Sequence, residues 1–202
     1  MSLRSAVMAQ FKKPTGLLGL VVGWLMSVLS ANRRRNRWIV GLLKLSGNAR
    51  VLEWGCGPGI GIAACLENCP SARILAVDHS SLMVRQASAR HAAAIKAGKL
   101  RIIEGSLKEA LPHAPFDAIF SSNVLQFVEG KAEAIALMKN MLAPGGVAAS
   151  GFQPRAANAR PEDALAWAEE IKALHERAGF ARVKVEILDL KPMPVACVLG
   201  YV

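Results

Sequence analysis

With 202 residues, 52% of them hydrophobic and 20% charged, the chain has the size and composition of one globular domain, which excludes wholesale disorder and leaves no room for two ordinary domains. Its formal charge of +10 sits mostly at one end: residues 1–52 hold nine Lys or Arg and no acid, whereas the other 150 hold sixteen basic and fifteen acidic groups. A main body so nearly neutral is not a uniformly basic nucleic-acid platform.

The first element expected is an apolar helix over residues 16–31, within KKPTGLLGLVVGWLMSVLSANRRR. It would reach about 24 Å, short of a hydrocarbon core of roughly 30 Å. A signal peptide fits less well, because the run starts late, the cleavage-like residues are poor and three arginines follow at once. The segment therefore reads as a helix packed on the domain, with contact to a membrane surface as the alternative. NRRRNRWIVGLLKLSG reads as a second helix, with Trp38, Ile39, Leu42 and Leu43 on its apolar face and Gly47 near its stop. Residues 1–49 are thus expected to form a basic, apolar helical extension over a main domain of residues 50–202.

From there the pattern alternates. Strands are expected at RVLEW (50–54), RILAVD (73–78), LRIIEG (100–105), FDAIFS (116–121) and GVAASGF (146–152). Helices are expected at GIAACLENC, SLMVRQASARHAAAIKAG and GKAEAIALMKNMLAPGG. Such alternation gives an α/β fold with a parallel sheet and helices on both faces. A last helix, PEDALAWAEEIKALHERAGF, precedes two strand-like runs, VKVEILDL and PVACVLGYV. Their short link through Lys191, Pro192 and Met193 cannot cross over to a parallel neighbour, so this final pair is antiparallel and the sheet has seven strands. Cys56, Cys65, Cys69 and Cys197 show neither a CxxC pair nor a metal-ligand spacing and read as reduced, packed thiols of a cytosolic protein without a metal site.

The loop after the first sheet strand, VLEWGCGPG, carries Gly55, Gly57, Gly59 and Gly61. One glycine would serve a tight turn; four indicate a ligand lying against bare backbone at the strand ends. The dinucleotide spacing GxGxxG fails, since its third glycine falls on Ile60 or Ile62, and no GK[ST] follows for a phosphate loop. Glu53, two residues before the first glycine, would repel a pyrophosphate and suits a ligand with a cationic end. Among nucleoside-like ligands, S-adenosylmethionine has that character.

VLEWGCGPG resembles the E/DxGxGxG motif of class I S-adenosylmethionine-dependent methyltransferases, and ILAVDHS, EGSLKEALP, FDAIFSSNVLQFV and LAPGG follow in that family's order from Arg50 onward. The resemblance implies a Rossmann-like seven-stranded sheet, mostly parallel with an antiparallel final strand, and S-adenosylmethionine as cofactor. It places Gly55, Cys56 and Gly57 at the methionine end, with Glu53 orienting the ammonium. Asp78 falls where the family places the acid that accepts the ribose hydroxyls, with His79 beside it. The spacing agrees, because Asp78 lies 23 residues after Gly55, close to the value of about 20 for a ribose-binding carboxylate. Ser106 and Leu107 would flank the adenine, Ser106 standing where the family often has Asp. FQPR and LDLKP are similar to a bacterial subgroup without an assigned substrate.

Methyl transfer requires an acceptor held in line with an already activated methyl, so no nucleophile or metal cluster is needed. Amine-methylating nucleic-acid enzymes of this fold commonly carry [DN]PP[YF] after strand four; here the chain reads SSNV, with Asn123 in the nearest place. The acceptor is therefore expected to be a small molecule or lipid-like, the alternatives being an RNA-directed enzyme or a non-catalytic cofactor-binding module. Gln126, Gln153 and Arg155 are candidates for its pocket, as are Trp24 and Arg37 of the N-terminal lid, with Phe11 and Trp38 as apolar company. Arg33, Arg34, Arg35 and Arg37 suit an anionic acceptor or anionic lipid head groups, against the alternative of a solvated charge run. His79 or His113 offers a general base for a hydroxyl acceptor, each set against a structural role.

Overall fold

The computed structural model describes residues 30–155 and 158–202. The apolar helix expected over 16–31, with Phe11 and Trp24, lies outside or almost wholly outside these residues. Within them the elements run α1 (Ser30–Leu42), β1 (Arg50–Trp54), α2 (Ile60–Asn68), β2 (Arg73–Asp78), α3 (Ser81–Arg90), α4 (Ala92–Lys96), β3 (Leu100–Glu104), β4 (Phe116–Ser122), α5 (Lys131–Asn140), β5 (Leu142–Phe152), α6 (Glu162–Arg177), β6 (Arg182–Leu188) and β7 (Val195–Tyr201). Two short 3-10 helices, Leu107–His113 and Leu125–Phe127, follow β3 and β4.

The seven strands form one sheet in the order β3-β2-β1-β4-β5-β7-β6. β1 to β5 pair in parallel, and β7 runs antiparallel to both β5 and β6. The architecture agrees with the sequence expectation. Differences lie at the ends. β5 begins at Leu142, because the Ala143–Gly146 stretch expected as a turn stays in the sheet as an irregularity in which Phe116 pairs with Leu142 and Ala118 with Val147. The long helix expected after β2 breaks at His91 into α3 and α4.

Side chains alternate across each strand, and the two faces build two cores. Val51, Ala76, Phe120 and Ala149 face one side with Ile39 and Val40 of α1 and Ile62 and Cys65 of α2. Leu52, Val77, Ile119 and Ala148 face the other with Ile135 and Met138 of α5 and Trp167 and Ile171 of α6. α1 is thus part of the described core, its buried residues Asn32, Arg35, Asn36, Ile39 and Val40 recurring at helical spacing. All four cysteines are buried and free.

Candidate functional site

Strand order reverses at β1, whose neighbours β2 and β4 lead away in opposite directions, so a crevice opens beyond the carboxyl ends of the strands. A cavity of about 800 Å³ fills it. Gly55 and Gly57 line it after β1, Asp78 and His79 at the end of β2, Ser106 and Leu107 after β3, Asn123 and Gln126 after β4, and Gln153 and Arg155 after β5. Ten residues singled out from the sequence therefore share one wall.

Backbone chemistry shapes the glycine loop. The N–H groups of Gly55 and Cys56 both donate to Val77 O, at 2.7 and 3.2 Å, and that of Gly57 to Asp78 Oδ2 at 2.8 Å. Asp78 Oδ1 accepts from Ser80 N–H at 2.9 Å, so one carboxylate ties together the turns after β1 and β2. Ser80 then caps α3 through Met83 N–H. Gly57 has φ +52°, and a Cβ there would meet no protein atom within 4 Å. Neighbouring packing therefore does not explain glycine at this position; the left-handed backbone and the open space in front of it do.

Beneath the loop the structure separates residues that the sequence grouped. Glu53 lies on the α1 and α2 side of the sheet because strand residues alternate, and it does not line the large cavity. It lines a second hollow of about 40 Å³ with Cys56, Gly61, Asn32 and Arg35. Its Oε2 is buried without a hydrogen-bond partner. Burial, and then the charge of Asp78, push its carboxyl well above the usual carboxylate range. The Cys56 thiol is likewise pushed up, first by burial and then by Glu53 and Asp78.

Across the crevice Asn123, in the left-handed region at φ +59°, joins β4 to β5. Its Nδ2 donates to Gln153 O and its Oδ1 accepts from Gln153 N–H, both at 3.0 Å. The side chain of Gln153 accepts from Arg35 Nη1 at 2.9 Å and donates to Met193 O at 2.9 Å. Ser106 opens the 3-10 helix after β3 with a capping box, its backbone N–H and its hydroxyl both donating to Glu109 Oε2 at 2.7 Å.

Two expectations are corrected. Arg37 is not a pocket residue: it points outward and pairs with Glu67 at 2.8 Å, with 60% of its side chain exposed. One helical turn holds the reason, since Arg35 shares the buried face with Asn32 and Ile39, whereas Arg37 falls on the opposite side. His113 sits by the amino end of β1, where its carbonyl accepts from Arg50 Nη2, far from the strand ends that form the crevice. His79 lines the cavity, its Nδ1 3.8 Å from Asp78 Oδ1.

His91 is a supporting residue that the sequence reading missed. Its Nε2 lies 2.7 Å from Gly59 O, and a Cβ on Gly59 would come within 2.7 Å of that same nitrogen. Burial lowers its pKa, partly opposed by the hydrogen bond to Gly59. A neutral ring donating Nε2–H to the carbonyl thus props the glycine loop from behind.

The residues present fit a cationic nucleoside. Asp78 offers a carboxylate at the cavity wall, Gly57 offers bare backbone, and Met83 and Leu107 offer an apolar slot for a ring. Comparisons with known proteins agree. Residues 51–146 match the model of a methyltransferase domain. The uncharacterized methyltransferase YdaC of Bacillus subtilis (strain 168) is 27% identical over 179 residues, covering 88% of this chain and 96% of that protein. A trans-aconitate 2-methyltransferase of Azoarcus sp. (strain BH72) is 34% identical over 116 residues, 57% of this chain but only 44% of its own length. The fold is similar to that of the N-methyltransferase NodS from Bradyrhizobium japonicum WM9 in complex with S-adenosyl-L-homocysteine, with a TM-score of 0.67, 20% identity, and coverage of 88% of this chain and 90% of that one. Residues 51–146 therefore form a methyltransferase domain, and in motif order, in relatives and in fold the chain is similar to the class I S-adenosylmethionine-dependent methyltransferases.

Proposed function

We propose that the protein methylates a small-molecule acceptor seated over the ends of β4 and β5. The observation that carries this reading is the continuity of the cavity, which runs from Gly57, Asp78 and Leu107 to Gln126, Gln153 and Arg155 without a dividing wall. In this reading the cofactor's methionine end lies on Gly55 and Gly57, Asp78 accepts its ribose hydroxyls, and Ser106 and Leu107 flank its adenine. Glu53 acts on the ammonium from the hollow beneath the loop. When bound, the cofactor supplies a methyl already activated by its sulfonium, so the chain's own work is placement and exclusion of water.

Placement is built into the backbone. Asn123 and Gln153 lock the ends of β4 and β5 together, and the apolar wall of Trp54, Val124, Phe127 and Leu137 suits a compact organic body. An RNA acceptor is less well served, because a concave apolar chamber offers no track for a phosphate backbone. The trans-aconitate methyltransferase named above acts on a small molecule, in keeping with this reading. No helix among the described residues is long and apolar enough to cross a membrane.

Calorimetry with S-adenosylhomocysteine and with NAD, followed by transfer of labelled methyl into cell extract, tests the proposal. Label in the soluble small-molecule fraction is the expected outcome. Label confined to lipid or to RNA overturns the small-molecule assignment, and tight cofactor binding with no labelled product anywhere overturns catalysis itself.

A further inference from the structure

Arg35 is 4% exposed, while Arg33, Arg34 and Arg37 on the same helix are exposed. Its Nε donates to Ser122 Oγ and its Nη1 to Gln153 Oε1, each at 2.9 Å. Both acceptors are neutral, so the charge itself is unmatched. Arg155, two residues beyond Gln153, stands at the exposed rim of the cavity and donates to Asn32 Oδ1, again a neutral group. The charge of Arg155 adds to burial in pushing the Arg35 pKa down, which marks the two guanidinium groups as neighbours that repel.

No carboxylate of the described residues forms an ion pair with either arginine. The residues outside the description supply none, since positions 1–29 and 156–157 contain no Asp or Glu. Three acids line the same cavity: Asp78, Glu133 and Asp163. Asp78 is engaged by the N–H groups of Gly57 and Ser80, and Asp163 Oδ2 accepts the N–H of Arg160 at 2.8 Å. A buried, unmatched guanidinium beside a second one is costly unless an anion arrives from outside. Gln126, on the same wall, keeps its Oε1 buried without a partner, a further polar group left open to a ligand.

Building on the methyltransferase reading above, we infer that Arg35 and Arg155 form a carboxylate-binding pair in the acceptor half of the cavity, so that the methyl acceptor is a small organic acid. A guanidinium presents a planar fork matched to a carboxylate. Inorganic phosphate has no hydrocarbon body and gains nothing from the apolar part of the wall. The apolar surface of Val124, Phe127 and Leu137 receives the hydrocarbon body of the acid.

The test is calorimetry on the protein saturated with S-adenosylhomocysteine, using benzoate, adipate and trans-aconitate, each against its neutral methyl ester, with inorganic phosphate as a further arm. At least one acid is expected to bind about tenfold or more tightly than its ester. Arg155→Met, at the exposed rim, and Arg35→Met are each expected to weaken that acid about tenfold, while the Kd for S-adenosylhomocysteine stays within about twofold. Acids that bind no better than their esters, or phosphate binding better than all three, overturn the inference. So does a weakened S-adenosylhomocysteine Kd in Arg35→Met with acid binding intact, which would assign Arg35 to the cofactor's own carboxylate. In each of these outcomes S-adenosylhomocysteine still binds the unaltered protein; failure of that binding would instead sink the methyltransferase reading.

Discussion

Gly57→Ala separates two reasons for a glycine. A Cβ at this position meets nothing within 4 Å, so the substitution creates no clash in the protein, and its cost to folding is that of holding alanine at φ +52°. That cost is about 1–2 kcal/mol, which in a chain of this size lowers Tm by roughly 2–8 °C. A cofactor resting on the bare backbone would be lifted by the new methyl, losing backbone hydrogen bonds and close contacts worth about 2 kcal/mol, or about thirtyfold in Kd. Gly61→Ala is the contrast. There a Cβ collides with Glu53 Oε1 and stands 2.9 Å from Phe120 Cε2 inside the core, so the loss falls on folding, by about 1–3 kcal/mol of overpacking. Thermal denaturation and titration with S-adenosylhomocysteine read the two effects separately. A Gly57→Ala protein that binds the cofactor as tightly as the parent would refute the placement of the ligand on this loop.

Glu53→Gln is expected to change the pH profile of the cofactor-free protein. The folded-state pKa of Glu53 is raised by burial and by Asp78, so the folded chain holds a proton that the unfolded chain has released; this contribution is full below the ordinary carboxylate pKa and is lost as pH rises through the raised one. Glutamine removes the loss, and urea denaturation across pH 5–8 should show the variant gaining on the parent as pH rises; parallel curves would contradict this. His91 works in the opposite direction. Its folded pKa is lowered, first by burial, so its contribution is complete above the ordinary value of about 6.5 and is lost as pH falls below it. His91→Gln should flatten part of that acid-side slope, the buried His175 keeping the rest; an unchanged slope would show that His91 takes up its proton equally in the folded and unfolded chains. Asn123→Ala removes two hydrogen bonds to Gln153 and leaves alanine at φ +59°. A loss of about 2–4 kcal/mol in chemical denaturation is expected, with Asn123→Gly recovering the strain but not the bonds; a loss below 1 kcal/mol would show that the bridge is not structural.

The sheet was legible because its determinants are local. Alternation of β-branched and apolar residues marks β1, β2 and β4 to within a residue, and the link expected at Lys191–Met193, six residues (189–194) in the structure, is too short for anything but an antiparallel return. The cavity wall was legible for a related reason: residues at strand carboxyl ends must meet at the crevice once strand order is given, which brought Asp78, Asn123 and Gln153 together from three separate segments. The break at His91 was not legible, because SLMVRQASARHAAAIKAG is helix-favouring throughout. Only the carbonyl of Gly59, 32 residues away in sequence, explains why the ring is drawn inward there.

The direction of Glu53 and the choice between Arg35 and Arg37 were missed for a different cause, since both could be read from periodicity. Strand alternation places Glu53 with Val51 on the α1 and α2 face, and helical spacing places Arg35 with Asn32, Asn36 and Ile39. A polar residue falling on an otherwise apolar stripe is buried along with that stripe, and burial of a charge demands a purpose. The same rule applied to both residues leads to one place: an acid and a base, unpaired with each other, face a common hollow under the glycine loop. Had the two formed an ion pair, the hollow would be closed and electrically silent. Kept apart, Glu53 holds a proton in the cofactor-free protein, while Arg35 directs its guanidinium to Ser122 and Gln153 at the ends of β4 and β5. Under the proposed function, a cationic donor settling on the loop would draw that proton off Glu53, and the guanidinium would face an anionic acceptor, so that charge orients the two before any catalytic base is invoked.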